Sequence, residues 1–465
     1  MPFPDDFTWG VSAASYQIEG GAYEGGKGLS VWDVFSHQPG AVWQGHTGDV
    51  ACDHYHRWKE DVALMKRFGV GTYRFSVSWP RVLSEGTGEV NERGIGFYDR
   101  LVDELLEAGI EPWIVLFHWD YPYALFKRGG WLNPDSPDWF ADYARVVVER
   151  LSDRVKNWFT ILEPACFIGL GHHTGEHAPG LKLGFGQVLE AGHNALLAHG
   201  KAVRVLRQCA EQEVSVGLVP AGSRYCPVAD EEEDIEAARE LTFRAAEGSV
   251  FSYTWWLDPV YFGRYPEDGL EMYGSDAPDV KGGDMELISE PIDVCAMNCY
   301  TSRLARAGED GRPETVPHSA GYPMTTQSDW AILPRGIYYA ARFLYERYGH
   351  PIVVTENGHQ NPDYVMSDGR VHDPQRVDFI RSYLRQLERA VDDGVEVKGY
   401  FHWTIMDNFE WAFGYKIRVG LVYTDFQTLE RTPKDSAFYY KKVMETNGAC
   451  LHDNLDLSPA GIDYD

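Results

Sequence analysis

The chain has 465 residues, 44% hydrophobic and 14% aromatic, and its 70 acidic against 42 basic side chains give a formal charge of −28. That much apolar material fills one large core or two to three ordinary ones, while so negative a field repels phosphate backbones and anionic headgroups and argues against nucleic-acid or membrane-surface partners. No apolar run is long enough to cross a bilayer, the start MPFPDDFTWG lacks the basic and apolar parts of an export signal, and the seven cysteines are scattered without a C-x-x-C pair, which reads as reduced thiols in a cytoplasmic protein.

In chain order, strand-like runs are predicted over 7–11, 70–76, 112–117, 157–162, 214–219, 293–298, 352–355 and 398–403. Most are continuously apolar, as parallel strands buried on both faces are. Helical spacing separates them. Trp58, Val62, Met65 and Phe68 share one face before Gly69, and Ile95, Tyr98, Leu101 and Leu105 share another before Gly109. Later helices are predicted in VLEAGHNALLAHGKAVRVLR, IYYAARFLYERYG, PQRVDFIRSYLRQLERAVDDG and PKDSAFYYKKVME.

Eight strands alternating with helices fit an α/β fold, either a closed (β/α)8 barrel or an open doubly wound sheet. Neither G-x-G-x-x-G after the first strand nor G-x-x-x-x-G-K-S/T occurs, so the TIM barrel is the expectation. Its usual length is about 250 residues, so some βα loops must be long. The acidic, aromatic-rich stretch 224–290, with DEEEDIEAARE and WWLDPVYFGRYPE, is the foremost candidate. With no Pro/Gly/Ser linker, one barrel domain is expected over 1–447, followed by an acidic tail over 448–465.

Catalytic groups in such a barrel sit where strands give way to loops. Polar residues at those points are Gln17 and Glu19, Arg74, His118 and Asp120, Glu163, Asn298 and Tyr300, Glu356 and Asn357, and Glu410. Glu163 in TILEP and Glu356 in PIVVTENG each follow an apolar strand at once, where an ionised carboxylate needs a partner or a purpose. One such Glu is ordinarily a solvated loop start. Two, on the fourth and seventh strands, suit glycoside hydrolysis, in which one carboxyl is the acid and the other the nucleophile or base. Trp119, Tyr121, Trp330, Trp403 and Trp411 cluster at the same ends, and their faces suit the C–H surface of a pyranose, although a core role is the commoner fate of any one Trp.

The stretch HHTGEH contains H-x-x-E-H, His173 to His177, a literal match to an inverted zinc-protease motif. Gly175 within it and Pro179 beyond it disfavour the helix that zinc binding requires. His54 and His56, two apart on a helix, face different ways.

The ordered stretches FTWGVSAASYQIEGG, EDVALMKRFGVGTYRFSVSWPRV, FHWDYP, GGWLN, GEHAPG, HNALLAHGKAV, NCYTS, VVTENG, WTIMDNFEWAFGY and RTPKDSAFYYKKV make the chain resemble the family 1 glycoside hydrolases, the β-glucosidase family. The resemblance implies a (β/α)8 barrel without metal or cofactor that removes terminal β-D-glycosyl residues with retention. It implies Glu163 as acid/base, Glu356 as nucleophile, and Arg74 and Tyr300 as the groups keeping the nucleophile ionised and oriented. Gln17, His118, Trp119, Asn298, Trp330, Trp403, Glu410 and Trp411 match residues that hold or wall in the sugar. The substrates implied are β-glucosides and short β-linked oligosaccharides, with galactosides and fucosides still open. Members acting on 6-phosphorylated sugars replace the acid at position 410 and add phosphate-binding residues, and those acting on thioglucosides carry Gln at position 163, so an unphosphorylated O-glycoside is expected.

Three positions depart from the family pattern. Leu162 stands where the family has an Asn that bonds the sugar 2-hydroxyl, a contact that strengthens at the transition state. A reduced rate on ordinary glucosides is therefore expected, and the alternative is a sugar-binding protein on a weakened or inactive glycosidase scaffold. Ala165 stands where many relatives have a Trp on the leaving-group side. Cys299 replaces the first Tyr of a common N-Y-Y, while Tyr300 keeps the second.

Overall fold

The computed structural model describes residues 3–325, 328–457, 462 and 464. Eight parallel strands, β1 (Thr8–Ser12), β2 (Thr72–Ser76), β3 (Glu111–Phe117), β4 (Asn157–Leu162), β5 (Ser215–Val219), β6 (Val294–Asn298), β7 (Ile352–Asn357) and β8 (Val397–Trp403), close into a barrel. Each pairs with its sequence neighbours and β1 also pairs with β8, so the sheet has no edge. The expected strands all form. β7 runs two residues further than expected, so Glu356 lies inside the strand, opposite Asn298 of β6, rather than after it.

The barrel interior is filled by large rings opposite glycines. Trp113 lies 5.0 Å from Phe401 and 5.9 Å from Phe159. A Cβ at Gly10 would come within 2.5 Å of the Phe401 ring, and one at Gly217 within 2.8 Å of Phe159, so both glycines make room for an aromatic from a neighbouring stave.

The outer ring comprises α1 (His54–Arg67), α2 (Glu92–Glu107), α3 (Ser136–Leu151), α4 (Phe185–Cys209), α5 (Tyr253–Phe262), α6 (Arg335–Tyr348), α7 (Pro374–Asp392) and α8 (Asp435–Glu445). The expected apolar stripes face inward: Val62 and Met65 of α1 are buried, as are Ile95, Tyr98, Leu101 and Leu105 of α2. Gly69 and Gly109, with φ of +65° and +79°, turn the chain into the next strands.

Long loops follow β1, β5, β6 and β8. The acidic stretch after β5 forms the helix Glu232–Phe243 and then α5, which buries Trp255 and Trp256. Strand Tyr225–Pro227 of that loop pairs with Arg303–Ala307 of the next, which pairs with Pro313–Val316, so a three-stranded sheet ties the two loops together. The stretch expected as an acidic tail begins with packed residues. Ala449–His452 is a short helical turn that buries Cys450 and Leu451, and Arg381 of α7 donates to the Leu451 carbonyl at 2.9 Å. Residues 458–461, 463 and 465 lie outside the described residues. All seven cysteines are free, and no helix among the described residues is long and apolar enough to cross a membrane.

Candidate active site

The barrel brings Glu163 and Glu356 into one cavity of about 250 Å³ at the C-terminal ends of the strands, as the fold directs. Glu163 directly follows β4 with φ of +48°, a region a glutamate seldom occupies, and its N–H donates to the Val219 carbonyl of β5 at 2.7 Å. Trp119 (+78°) and Trp411 (+47°), which line the same cavity, share this left-handed backbone. Such strain persists where surrounding bonds hold it and it clusters at functional sites.

The two carboxylates have different partners. Arg74 Nη2 donates to Glu356 Oε1 and the Tyr300 hydroxyl to Oε2, both at 2.6 Å. Glu163 receives the Asn298 amide on Oε1 at 3.0 Å and has the Cys166 thiol 3.4 Å from Oε2. A guanidinium and a phenol, both short, favour an anion far more than an amide and a thiol do. The donors therefore hold the first negative charge on Glu356.

Burial raises the pKa of both. Glu356 is pushed up to about 7, with Arg74 opposing the desolvation and the Glu163 charge adding to it. Glu163 is raised by burial first, with Asn298 and Cys166 pulling it down. Removal from water, rather than the charge of Glu356, is the leading cause of the Glu163 shift. Glu410 is pushed up to about 8 by burial and then by the Glu356 charge, against a single side-chain donor, Gln17 Nε2, at 3.1 Å from Oε2. Charge on Glu410 is therefore not what bars a sugar phosphate. At neutral pH that carboxyl keeps its proton, and what disfavours phosphate is that Arg224 is the one Lys or Arg among the described cavity-lining residues.

Around the pair, His118, Trp119, Tyr300, Trp330, Trp403, Glu410 and Trp411 line the cavity. Trp119 and Trp411 lie 4.5 Å apart, His118 sits 5.7 Å from Trp411 and 5.9 Å from Trp403, and Trp330 covers Tyr300 at 5.2 Å. Arg74, Gln17 and Asn298 are buried behind Glu356, Glu410 and Glu163. Leu162 is wholly buried, and its carbonyl accepts from Trp119 Nε1 at 2.9 Å.

Other strand-end candidates have structural duties. Glu19 accepts from Arg81 and Tyr98 at 2.8 and 2.6 Å, Asp120 accepts from Ser15 at 2.9 Å, and Asn357 bonds Tyr400 and the Cys299 carbonyl. Tyr121 packs on Trp79 and Trp131, outside the cavity wall. Between Glu163 and Gly175 the chain does form a helix, Ala165–Thr174, a π-helix held by i→i+5 hydrogen bonds, and Gly175 at φ +76° ends it. His173 and His177 therefore share no helical face. His173 meets Phe185, while His177 lines the cavity beside Trp119 at 5.6 Å. Among the described residues no group of three or more His, Cys, Asp or Glu side chains is arranged to hold a metal. His54 bonds buried Asp61 and His56 bonds Asp53 and Glu24 outside, so the two do point apart.

Sequence reasoning missed Cys166 and Arg224. Arg224 leaves the loop after β5 to donate to the Asn298 carbonyl at 2.8 Å and to the Tyr253 hydroxyl at 3.1 Å, clamping the end of β6 beside Glu163. The one available signal was an Arg standing shortly before the acidic run DEEED.

Comparison with known proteins shows the family and the fold. A family model described as Glycosyl hydrolase family 1 matches residues 1–449. The chain is 45% identical to Beta-glucosidase A of Acetivibrio thermocellus over 453 residues, 96% of this chain and 99% of that protein. It is 44% identical to Beta-glucosidase A of Thermotoga maritima over 447 residues, 96% and 98% of the two. The structure of the Thermotoga maritima beta-glucosidase in complex with glucoimidazole superposes with a TM-score of 0.88, covering 96% of this chain and 99% of that one. An eight-stave barrel with a paired-carboxylate cavity, matched over nearly its whole length, places the chain in glycosyl hydrolase family 1.

Proposed function

We propose that the chain is a retaining β-glucosidase that removes terminal, unphosphorylated β-D-glucosyl residues from β-glucosides and short β-linked oligosaccharides, with Glu356 as nucleophile and Glu163 as acid/base. The unequal donor sets carry the reading: Arg74 and Tyr300 supply the stronger pair to Glu356, and Asn298 and Cys166 the weaker pair to Glu163.

Glu356 attacks the anomeric carbon as the charged partner of Arg74, and Glu163 gives its proton to the departing oxygen. Formation of the glycosyl ester removes the Glu356 charge, so Glu163 then takes a proton from water, whose oxygen attacks the same carbon and frees Glu356. Gln17 and Glu410 hold adjacent ring hydroxyls, His118 and Asn298 reach others, and Trp403 and Trp411 offer apolar faces to the ring. The beta-glucosidases of Acetivibrio thermocellus and Thermotoga maritima support glucose as the sugar. Leu162 leaves the 2-hydroxyl with one polar partner fewer, so discrimination against a 2-deoxy sugar is weak.

The test is phenol release from a panel of aryl β-glycosides at pH 5–8, with gluco, galacto, fuco and 2-deoxy sugars, on wild type, Glu356→Ala and Glu163→Ala. Full turnover in either variant refutes the assignment, and absence of release in wild type refutes the activity.

A further inference from the structure

Given Glu163 as the acid/base, we propose that Cys166 is its positioning residue: the thiol holds Oε2 of Glu163 and reverses from donor to acceptor as that oxygen gains its proton.

Glu163 Oε1 is already committed. Asn298 Nδ2 points at it from 3.0 Å, and Thr355 Oγ1 fixes the amide by donating to Asn298 Oδ1 at 2.6 Å. An amide NH2 only donates, so Oε1 remains an acceptor in both protonation states and the transferable proton belongs on Oε2. The side chain at Oε2 is Cys166, 3.4 Å away. A tight turn, closed by the Cys166 N–H on the Glu163 carbonyl at 2.9 Å, returns the sulfur to the carboxyl it follows. Cys166 also lines the cavity, so the Glu163–Cys166 pair faces the space where a leaving group departs.

A thiol donates and accepts, both weakly, and so can follow Oε2 through the cycle where an amide cannot. While Oε2 carries its hydrogen, sulfur accepts. The hydrogen passes to the glycosidic oxygen as the anomeric bond breaks, and the S–H turns to donate to the new anion. When water returns a proton to Oε2, the thiol turns back. Sulfur keeps its own hydrogen throughout, and nothing is oxidised. Burial and the facing carboxylate push the Cys166 thiol well above its ordinary range, which keeps it S–H in this role.

Two variants and two readouts test this. On phenyl β-glucoside, whose poor leaving group needs the acid, Cys166→Ala is expected to move the alkaline limb of kcat/KM upward by about half to one pH unit, because a donor to the anion is lost. Cys166→Ser retains a donor and acceptor and keeps the wild-type limb. The second readout needs no turnover: alkylation of Cys166 by iodoacetamide at pH 8, followed peptide by peptide by mass spectrometry. Glu163→Gln is expected to speed it several-fold, since the carboxylate that holds the S–H and repels a thiolate is gone. An alkaline limb unmoved in Cys166→Ala, or equal alkylation rates, overturns the proposal. Wild type that releases no phenol defeats the glycosidase reading instead, and the alkylation comparison then decides the Glu163–Cys166 contact alone.

Discussion

Glu410→Gln keeps the shape of a half-buried side chain and removes its titration, so stability and activity should move in opposite directions. Glu410 has a native pKa of about 8, against 4.5 for an ordinary glutamate. Below pH 4.5 the group is protonated in folded and unfolded chains alike and contributes no pH dependence. From 4.5 to 8 the unfolded chain releases the proton while the folded chain retains it, so native stability falls as pH rises through that window and levels off above it. At about 1.4 kcal/mol per pH unit, discounted for water in the open cavity, the loss at pH 7 is about 2–3 kcal/mol.

Glutamine does not titrate and escapes that loss. For 465 residues, at about 2.1 cal/mol/K of unfolding entropy each, the variant should melt about 2–3 °C above wild type at pH 7 and level with it at pH 4. Calorimetry across pH 4–8 measures the gap. Activity should fall about 2- to 10-fold in kcat/KM, because the amide NH2 only donates where the hydroxyl of the neutral carboxyl both donates to and accepts from the sugar. A Tm difference that does not change with pH, or that favours wild type at neutrality, refutes the account of Glu410 as a carboxyl held neutral by burial.

Glu163→Ala should lower kcat about 10²- to 10⁴-fold on phenyl β-glucoside and far less on dinitrophenyl β-glucoside, whose leaving group needs no proton; paired kinetics on the two substrates check it. Arg74→Met removes the chief charge stabilising Glu356, so the acidic limb of kcat/KM should rise by about one pH unit or more. Leu162→Asn should raise kcat/KM on an aryl β-glucoside about 10-fold or more while leaving its 2-deoxy analogue unchanged, and equal effects on both refute the role given to position 162. Lys434 lies wholly buried between Asp363 at 2.5 Å and Asp407 at 2.7 Å, so Lys434→Met should cost about 3–5 kcal/mol in denaturant unfolding.

The staves were legible because both faces of a parallel barrel strand are buried, which leaves a mostly apolar run such as WFTIL of β4, with Thr160 its one polar side chain before Glu163. Polarity at a strand end carries less information. Glu19, Asn357, Arg74 and Gln17 all stand at such ends, yet Glu19 has both oxygens bonded by Arg81 and Tyr98, and Asn357 has both ends of its amide engaged. Arg74 keeps Nε and Nη1, Gln17 keeps Oε1 and His118 keeps Nδ1 without protein partners, although all three side chains are buried. A buried polar atom left unpaired is costly unless something else bonds it. Asp120 Oδ1 and the Tyr121 hydroxyl lack protein partners too, away from the cavity, so it is the unpaired atoms of Arg74 and Gln17, beside Glu356 and Glu410, and of cavity-lining His118 that mark where a polyhydroxylated ligand belongs. That distinction lies in contacts between different staves, which no single stretch of sequence contains. Cys166 and Arg224 escaped for the same reason. The tight turn from Glu163 to Cys166 and the path of the loop after β5, not any motif, return them to the ends of β4 and β6. Family likeness supplied the residues proposed to hold the ring because it carries inter-stave contacts implicitly, and it assigned no role to the sulfur beside Glu163.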